Sequence, residues 1–236
     1  MNKILMYHSI GGMGTGEVGS ELYAVPVEEF REQMQYISGV KEAVLYRGGP
    51  FISFDDGLED NYTNAYPVLK DFGLKAYFFI LISKVGTRGF MNWQQIGQLR
   101  NDGMVIGSHG MTHKILAELN DEGLEYELRE SKRILEDKLR QPVEYFSIPR
   151  GFYNKKVIEK AKQIGYKALF TSDARDSDGF KFGRIPVKAG WSLDDFIRII
   201  NDGFTFKEKT EELLKNYSKK IIGAKNYDRL RMRILR

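Results

Sequence analysis

The sequence predicts an α/β fold built on a parallel sheet, and three observations carry that reading. Short apolar segments alternate with amphipathic helical ones about seven times, the pattern produced by parallel strands joined through crossover helices. Lys75–Ile82 (KAYFFILI) is apolar along almost its whole length, as expected where both faces of a strand are covered. Gly73, Gly103 and Gly165 each follow a helical segment, where a left-handed stop is needed. Right-handed crossovers then leave two architectures, an open doubly wound sheet or a closed barrel.

Taken in order, residues 3–8 (KILMYH) read as a buried strand. Pro26 leads into a helix near Val27–Ile37, with Phe30, Met34 and Ile37 at helical spacing. Phe51–Phe54 is a second strand, ending in Asp55-Asp56-Gly57, and a helix then runs to Phe72. After the Lys75–Ile82 strand come a helix at Trp93–Asp102, a strand at Met104–Gly107 and a long charged helix over Asp121–Arg140. Val143–Ser147 is a strand, Lys155–Ile164 a helix, Lys167–Thr171 a strand and Leu193–Ile200 a helix. Arg184, in Gly183-Arg184-Ile185-Pro186-Val187, reads as a late strand end. With no repeat, low-complexity tract or linker, residues 1–206 read as one domain. The Gly-rich stretch Gly11–Ser20 reads as a loop bordering the site.

Composition narrows the chemistry. The apolar content of 42% and charged content of 29% are those of an ordinary globular protein. There is no cysteine, so a metal site must use imidazole and carboxylate ligands. No apolar run is long enough to span a bilayer, and the first residues do not resemble a secretory signal, so the chain reads as soluble and cytoplasmic. Residues 207–236 carry ten Lys/Arg against four Asp/Glu, a net +6 that leaves 1–206 at −2 out of the total +4. This basic helical tail reads either as a peripheral contact with an anionic membrane or as a solvated terminal helix; nothing in the body resembles a nucleic-acid module, and nucleic acid is not expected as a partner.

The informative residues lie at the C-terminal ends of strands, where parallel α/β folds build their sites. In Ser53-Phe54-Asp55-Asp56-Gly57 two adjacent carboxylates point to different sides, so one can ligate a metal while the other faces a substrate. Taken alone, the segment is equally an Asp-Gly turn with a helix-capping Asp. In Ser108-His109-Gly110-Met111-Thr112-His113 two His at i and i+4 can converge on one ion. The chain has three His, and two of them fall in this segment. With the Asp pair they form a His, His, Asp set suited to Zn²⁺, with Co²⁺, Ni²⁺ or Mn²⁺ as alternatives.

SFDDG followed by SHGMTH resembles the first two signatures of the NodB-type polysaccharide deacetylases, the family 4 carbohydrate esterases. KAYFFI and MNWQQIGQLRNDGMVIGSHGMTH are similar to the family's segments around them, and Pro149 and Gly151 match its third signature. The likeness spans about residues 3–190. It implies a distorted (β/α)7 barrel, metal ligands Asp56, His109 and His113, and Asp55 as the general base. It also implies an N-acetylated amino sugar or glycan as substrate. Backbone N–H groups near Pro149, Arg150 and Gly151 would hold the oxyanion.

Two departures stand out. The family's C-terminal acid His has no counterpart, since no His follows His113. His8, in Tyr7-His8-Ser9-Ile10, resembles the N-terminal His that takes this role in the permuted branch containing the poly-N-acetylglucosamine deacetylases; the alternative is a packed strand-end His. Ser147 stands where many relatives carry the Arg that orients the base, with Arg184 the preferred substitute and Arg150 the other. Tyr153 and Trp191 can stack on a sugar ring, a core role for Trp191 being equally open. Other readings are a non-catalytic glycan binder on the same fold, or a hydrolase of another amide, a deformylase or cyclic-amide enzyme.

Overall fold

The structure, a computed structural model, describes residues 4–12, 20–44, 51–174 and 178–205, with 208, 210, 223 and 226 as single positions. Most of the basic tail and most of the Gly-rich loop therefore lie outside the described residues. Nine strands are described: β1 (Ile4–Tyr7), β2 (Ser9–Ile10), β3 (Ala24–Val25), β4 (Ile52–Phe54), β5 (Ala76–Ile80), β6 (Val105–Ser108), β7 (Tyr145–Ser147), β8 (Ala168–Thr171) and β9 (Lys181–Pro186). Seven of them close a parallel barrel in the order β1-β4-β5-β6-β7-β8-β9. Closure comes from β1 pairing with β9, where Ile4 faces Arg184 and Met6 faces Pro186. Of the two architectures left open by alternation, the closed barrel is the one formed. The remaining pair, β2 and β3, forms a short parallel ribbon.

The helices are α1 (Val27–Val44), α2 (Tyr66–Asp71), α3 (Trp93–Asn101), α4 (Asp121–Glu125), α5 (Ser131–Leu139), α6 (Lys155–Ile164) and α7 (Leu193–Asp202). Their starts follow local chemistry. Asn92 and Gln95 form a reciprocal capping box on α3, and Asn120, Asn154 and Ser192 each accept the N3 amide of their helix. Gly165, at φ 90°, ends α6.

Strand alternation sorts the side chains into two cores. Ile4, Tyr77, Phe79, Ala168 and Phe170 fill the barrel interior. Leu5, Ile52, Phe54, Phe78, Ile106, Phe146 and Leu169 face outward into the larger core beneath the helices.

Some boundaries differ from the sequence reading. Helix α1 continues past Ile37 to Val44, and the strand expected from Val143 starts at Tyr145. The long helix from Asp121 is interrupted by a π-turn at Tyr126–Glu130, and another π-turn, Asn61–Ala65, precedes α2. Hydrophobic periodicity carries no mark of one extra residue in a helical turn. Arg184 is not at a strand end but the fourth of the six residues of β9, whose extent was not read because its polar residues mask the apolar alternation.

Candidate active site

At the end of β4 the chain turns sharply. Asp56 has φ 71° and Gly57 φ 74°. A left-handed aspartate is uncommon, and such backbone tends to persist where a site over-determines it. The turn separates the two carboxylates. Asp55 stays over the barrel axis, and Asp56 faces the end of β6, where its Oδ1 lies 3.3 Å from His109 Nε2 and 3.5 Å from His113 Nε2.

Arg184 comes up from the barrel interior, its guanidinium carbon 5.3 Å from the Phe79 ring centroid and 5.8 Å from that of Phe170. It is 1% exposed. Its five N–H groups are all engaged. Nη1 donates to Asp55 Oδ1 at 2.7 Å and Ser53 Oγ at 3.1 Å. Nη2 donates to Asp55 Oδ2 at 2.8 Å and Ser147 Oγ at 2.7 Å, and Nε to Thr171 O at 3.2 Å. Ser147 Oγ in turn donates to Asp55 Oδ2 at 3.0 Å. A buried guanidinium is tolerable only with such complete pairing, and the planar fork meets both carboxylate oxygens at once.

These contacts fix the charge states. Burial alone would raise the Asp55 pKa; the charge and hydrogen bonds of Arg184, with His109 and His8, outweigh it and lower it. Burial also works against ionised Asp56, but the His109 hydrogen bond and the charges of His113, His8 and His109 pull its carboxyl far below the usual range. Burial disfavours a charged His109, yet the Asp55 charge and the contact with Asp56 raise its pKa.

Asp56, His109 and His113 each bring one donor atom, and these atoms lie within 4.8 Å of one another. His109 Nδ1 sits 2.9 Å from the Ser147 carbonyl oxygen. A carbonyl only accepts, so Nδ1 carries a proton, and in its neutral form, the one that can ligate a metal, His109 turns its Nε2 lone pair toward Asp56 Oδ1. Two lone pairs directed at one point suit a cation, and the donor set fits a divalent metal.

The remaining site residues divide. His8 follows β1, beside β4: Asp55 N–H donates to Tyr7 O at 3.0 Å. The His8 carbonyl accepts from Asn61 Nδ2 at 2.6 Å, its ring lies 5.2 Å from that of Tyr23, and its buried Nδ1 has no hydrogen-bond partner among the described residues. In the turn at Pro149–Gly151, Pro149 has no N–H and Gly151 donates its own to Ile148 O at 3.1 Å. Of the amides expected near the oxyanion, that of Gly151 is thus engaged within the turn. Arg150, at φ 58°, is separate from the Asp55 contacts, which Arg184 fills. Tyr153 holds Lys181, whose Nζ lies 3.3 Å from its hydroxyl and 5.2 Å from its ring centroid. Trp191 is partly buried against the outer core.

Sequence reasoning overlooked Ser53 and Asn61, and it took Ser147 as a loss rather than a partner. For the two serines, a polar residue at an inward strand position was the available signal.

The polysaccharide deacetylase family profile matches residues 50–169. The YxkH protein of Bacillus subtilis (strain 168), named for the same family, is 31% identical over 212 residues, covering 82% of this chain and 74% of its own length. The poly-beta-1,6-N-acetyl-D-glucosamine N-deacetylase of Staphylococcus epidermidis is 25% identical over 221 residues, covering 79% of this chain and 74% of that one. Among solved structures, the Streptococcus pyogenes deacetylase PplD in complex with acetate superposes with a TM-score of 0.73 at 22% identity. It covers 85% of this chain and 98% of that one, a likeness of fold.

Proposed function

The chain belongs to the polysaccharide deacetylase family, and from that premise we propose that it removes the N-acetyl group from a glucosamine-containing glycan with a divalent cation, Zn²⁺ first, held by Asp56, His109 and His113. It is a hydrolase of carbon–nitrogen bonds other than peptide bonds. One observation carries the finer reading: three metal-capable donors within 4.8 Å of one another stand next to a carboxylate clamped by Arg184.

A cation held there would act as a Lewis acid on water and on the acyl carbonyl. Asp55, kept ionised by Arg184, takes the proton from the attacking water. Both of its oxygens are fixed by hydrogen bonds, so the carboxylate meets the water without reorganising. As the C–N bond breaks, the amine must gain a proton, and His8 is the imidazole on the neighbouring strand end that can supply it. The products are acetate and a free amine. The Arg184–Asp55 contact also removes one ground for the non-catalytic reading, the replacement of the orienting Arg by Ser147. A glycan of N-acetylglucosamine is supported by the family and by the substrate named in the staphylococcal relative. Among the described residues no helix is long and apolar enough to cross a membrane; a cytoplasmic location and membrane contact through residues 207–236 are readings of sequence and charge alone.

The test is acetate release by the Zn²⁺-loaded protein from β-1,6- and β-1,4-linked N-acetylglucosamine oligomers, with N-formyl and cyclic-amide compounds in parallel. Asp55→Asn should abolish turnover while keeping one metal per chain, and His109→Ala should lose both. Undiminished release by Asp55→Asn would remove Asp55 as base. Turnover of the formyl or cyclic amides alone would overturn the deacetylase assignment.

A further inference from the structure

The segment Gly110–His113 enters the left-handed region twice, at Gly110 (φ 83°), where it costs a glycine nothing, and at His113 (φ 61°), where it is disfavoured. Its carbonyls are held from one side, where Ile82 N–H donates to Gly110 O at 3.1 Å and Ser83 N–H to Met111 O at 3.0 Å. Three of its donors are held by one buried carboxylate, Glu127, which is 1% exposed. Glu127 Oε2 accepts from Met111 N–H at 2.8 Å and Thr112 N–H at 3.0 Å, and Oε1 accepts from the Thr112 hydroxyl. A Cβ on Gly110 would come within 2.9 Å of Glu127 Oε2, so loop and carboxylate fit only with glycine there.

Glu127 lies in the π-turn between α4 and α5, and its backbone is tied to the same loop. Gly110 N–H donates to Ser108 Oγ at 3.0 Å, Ser108 Oγ to Ser131 Oγ at 2.7 Å, and Ser131 Oγ to Glu127 O at 2.6 Å. The extra residue of the π-turn thus closes a ring of hydrogen bonds from the end of β6 through the helix and back to the loop. Helical bulges of this kind recur at functional sites. A buried carboxylate with no cationic partner among these contacts is costly, and three donors from one short loop offset that cost only if the loop keeps this conformation.

We propose that Glu127 is a positioning residue for the metal centre, holding the Gly110–His113 loop so that His113 Nε2 converges with His109 Nε2 on Asp56. This rests on the metal reading above. Glu127 acts through geometry, so Gln, whose carbonyl can accept both amides while its NH₂ donates to the Thr112 hydroxyl, should substitute for it. Alanine should not.

The experiment measures the Zn²⁺ dissociation constant of the full chain by chelator competition, alongside the thermal midpoint of the metal-free protein. Glu127→Ala should weaken Zn²⁺ binding by about 10–100-fold, the usual effect of losing a residue that orients a ligand, and Glu127→Gln should stay near wild type. A folded Glu127→Ala protein with a lowered midpoint but wild-type Zn²⁺ affinity overturns the proposal, because the carboxylate would then be only structural. If Glu127→Ala does not fold, Thr112→Val removes one of the three donors and should weaken Zn²⁺ in the same direction; unchanged affinity there overturns it too. Wild-type protein that binds no Zn²⁺ sinks the metal reading and this one with it, whereas wild-type binding with an indifferent Glu127→Ala sinks this one alone.

Discussion

Asp55 and His8 end neighbouring strands of one barrel rim, yet their surroundings differ sharply. Asp55 has both oxygens bound by Arg184 and one also by Ser147. His8 has a ring tilted against that of Tyr23, a backbone carbonyl held by Asn61, and a buried Nδ1 with no partner among the described residues. Asp55 is therefore preorganised in charge and orientation by the fold, while the His8 imidazole is placed through its backbone and keeps its tautomer uncommitted. Such a division suits a reaction in which a proton is taken first and delivered later. A carboxylate must be ionised from the start, whereas an acid must be able to change state.

Three experiments break or sharpen this contrast. The largest effect is expected at Arg184. Arg184→Met leaves Asp55 buried without its cation, and urea unfolding should register a loss of about 3–5 kcal/mol together with loss of turnover. Adding Asp55→Asn should recover much of the stability and none of the activity. A loss below about 1 kcal/mol for Arg184→Met would mean that the clamp is not what holds Asp55. Next comes His8→Ala, expected to cut turnover by about 10²–10⁴-fold at an ordinary stability cost of about 1 kcal/mol. A fall of less than about tenfold in acetate release would remove His8 as the acid.

The smallest effect concerns the loop that carries His8. Asp60 accepts from Ser9 Oγ at 2.5 Å and from Asn61 Nδ2 at 2.8 Å. Burial nevertheless raises its pKa above the ordinary 3.8, over the opposing bonds from Ser9, Ile10 and Asn61, with Glu59 adding to the rise. The folded protein then binds this proton more tightly than the unfolded chain does. Stability should therefore decline as pH rises from 3.8 through the folded-state value, and Asp60→Asn should flatten that slope. Denaturation midpoints across this window, equally sloped in wild type and variant, would show that Asp60 does not feel the burial described.

Much of the fold was legible because it rests on local rules. Alternation announced a parallel sheet, and Gly103 and Gly165 marked helix ends within a few residues of where they fall. The residues of the candidate site were legible for the same reason: Asp55 with Asp56, and His109 with His113, are close in sequence, and strand ends are where such pairs converge. The π-turn at Tyr126–Glu130 was not, since a helix with one residue too many in a turn keeps its amphipathic pattern. Nor was the role of Glu127, which reads as one more charge in a charged helix until its partners are seen.

The sequence by itself determined the fold class, the family likeness and the residue types gathered at the rim. Tertiary structure alone decided how the barrel closes, which arginine meets Asp55 and what supports the His loop. Arg184 and Asp55 are 129 positions apart, and their meeting depends on β9 pairing with β1 in one register. A shift of one residue would turn the guanidinium out of the barrel, because strand side chains alternate between faces. No local pattern records that register; it is set by the packing of the whole ring of strands.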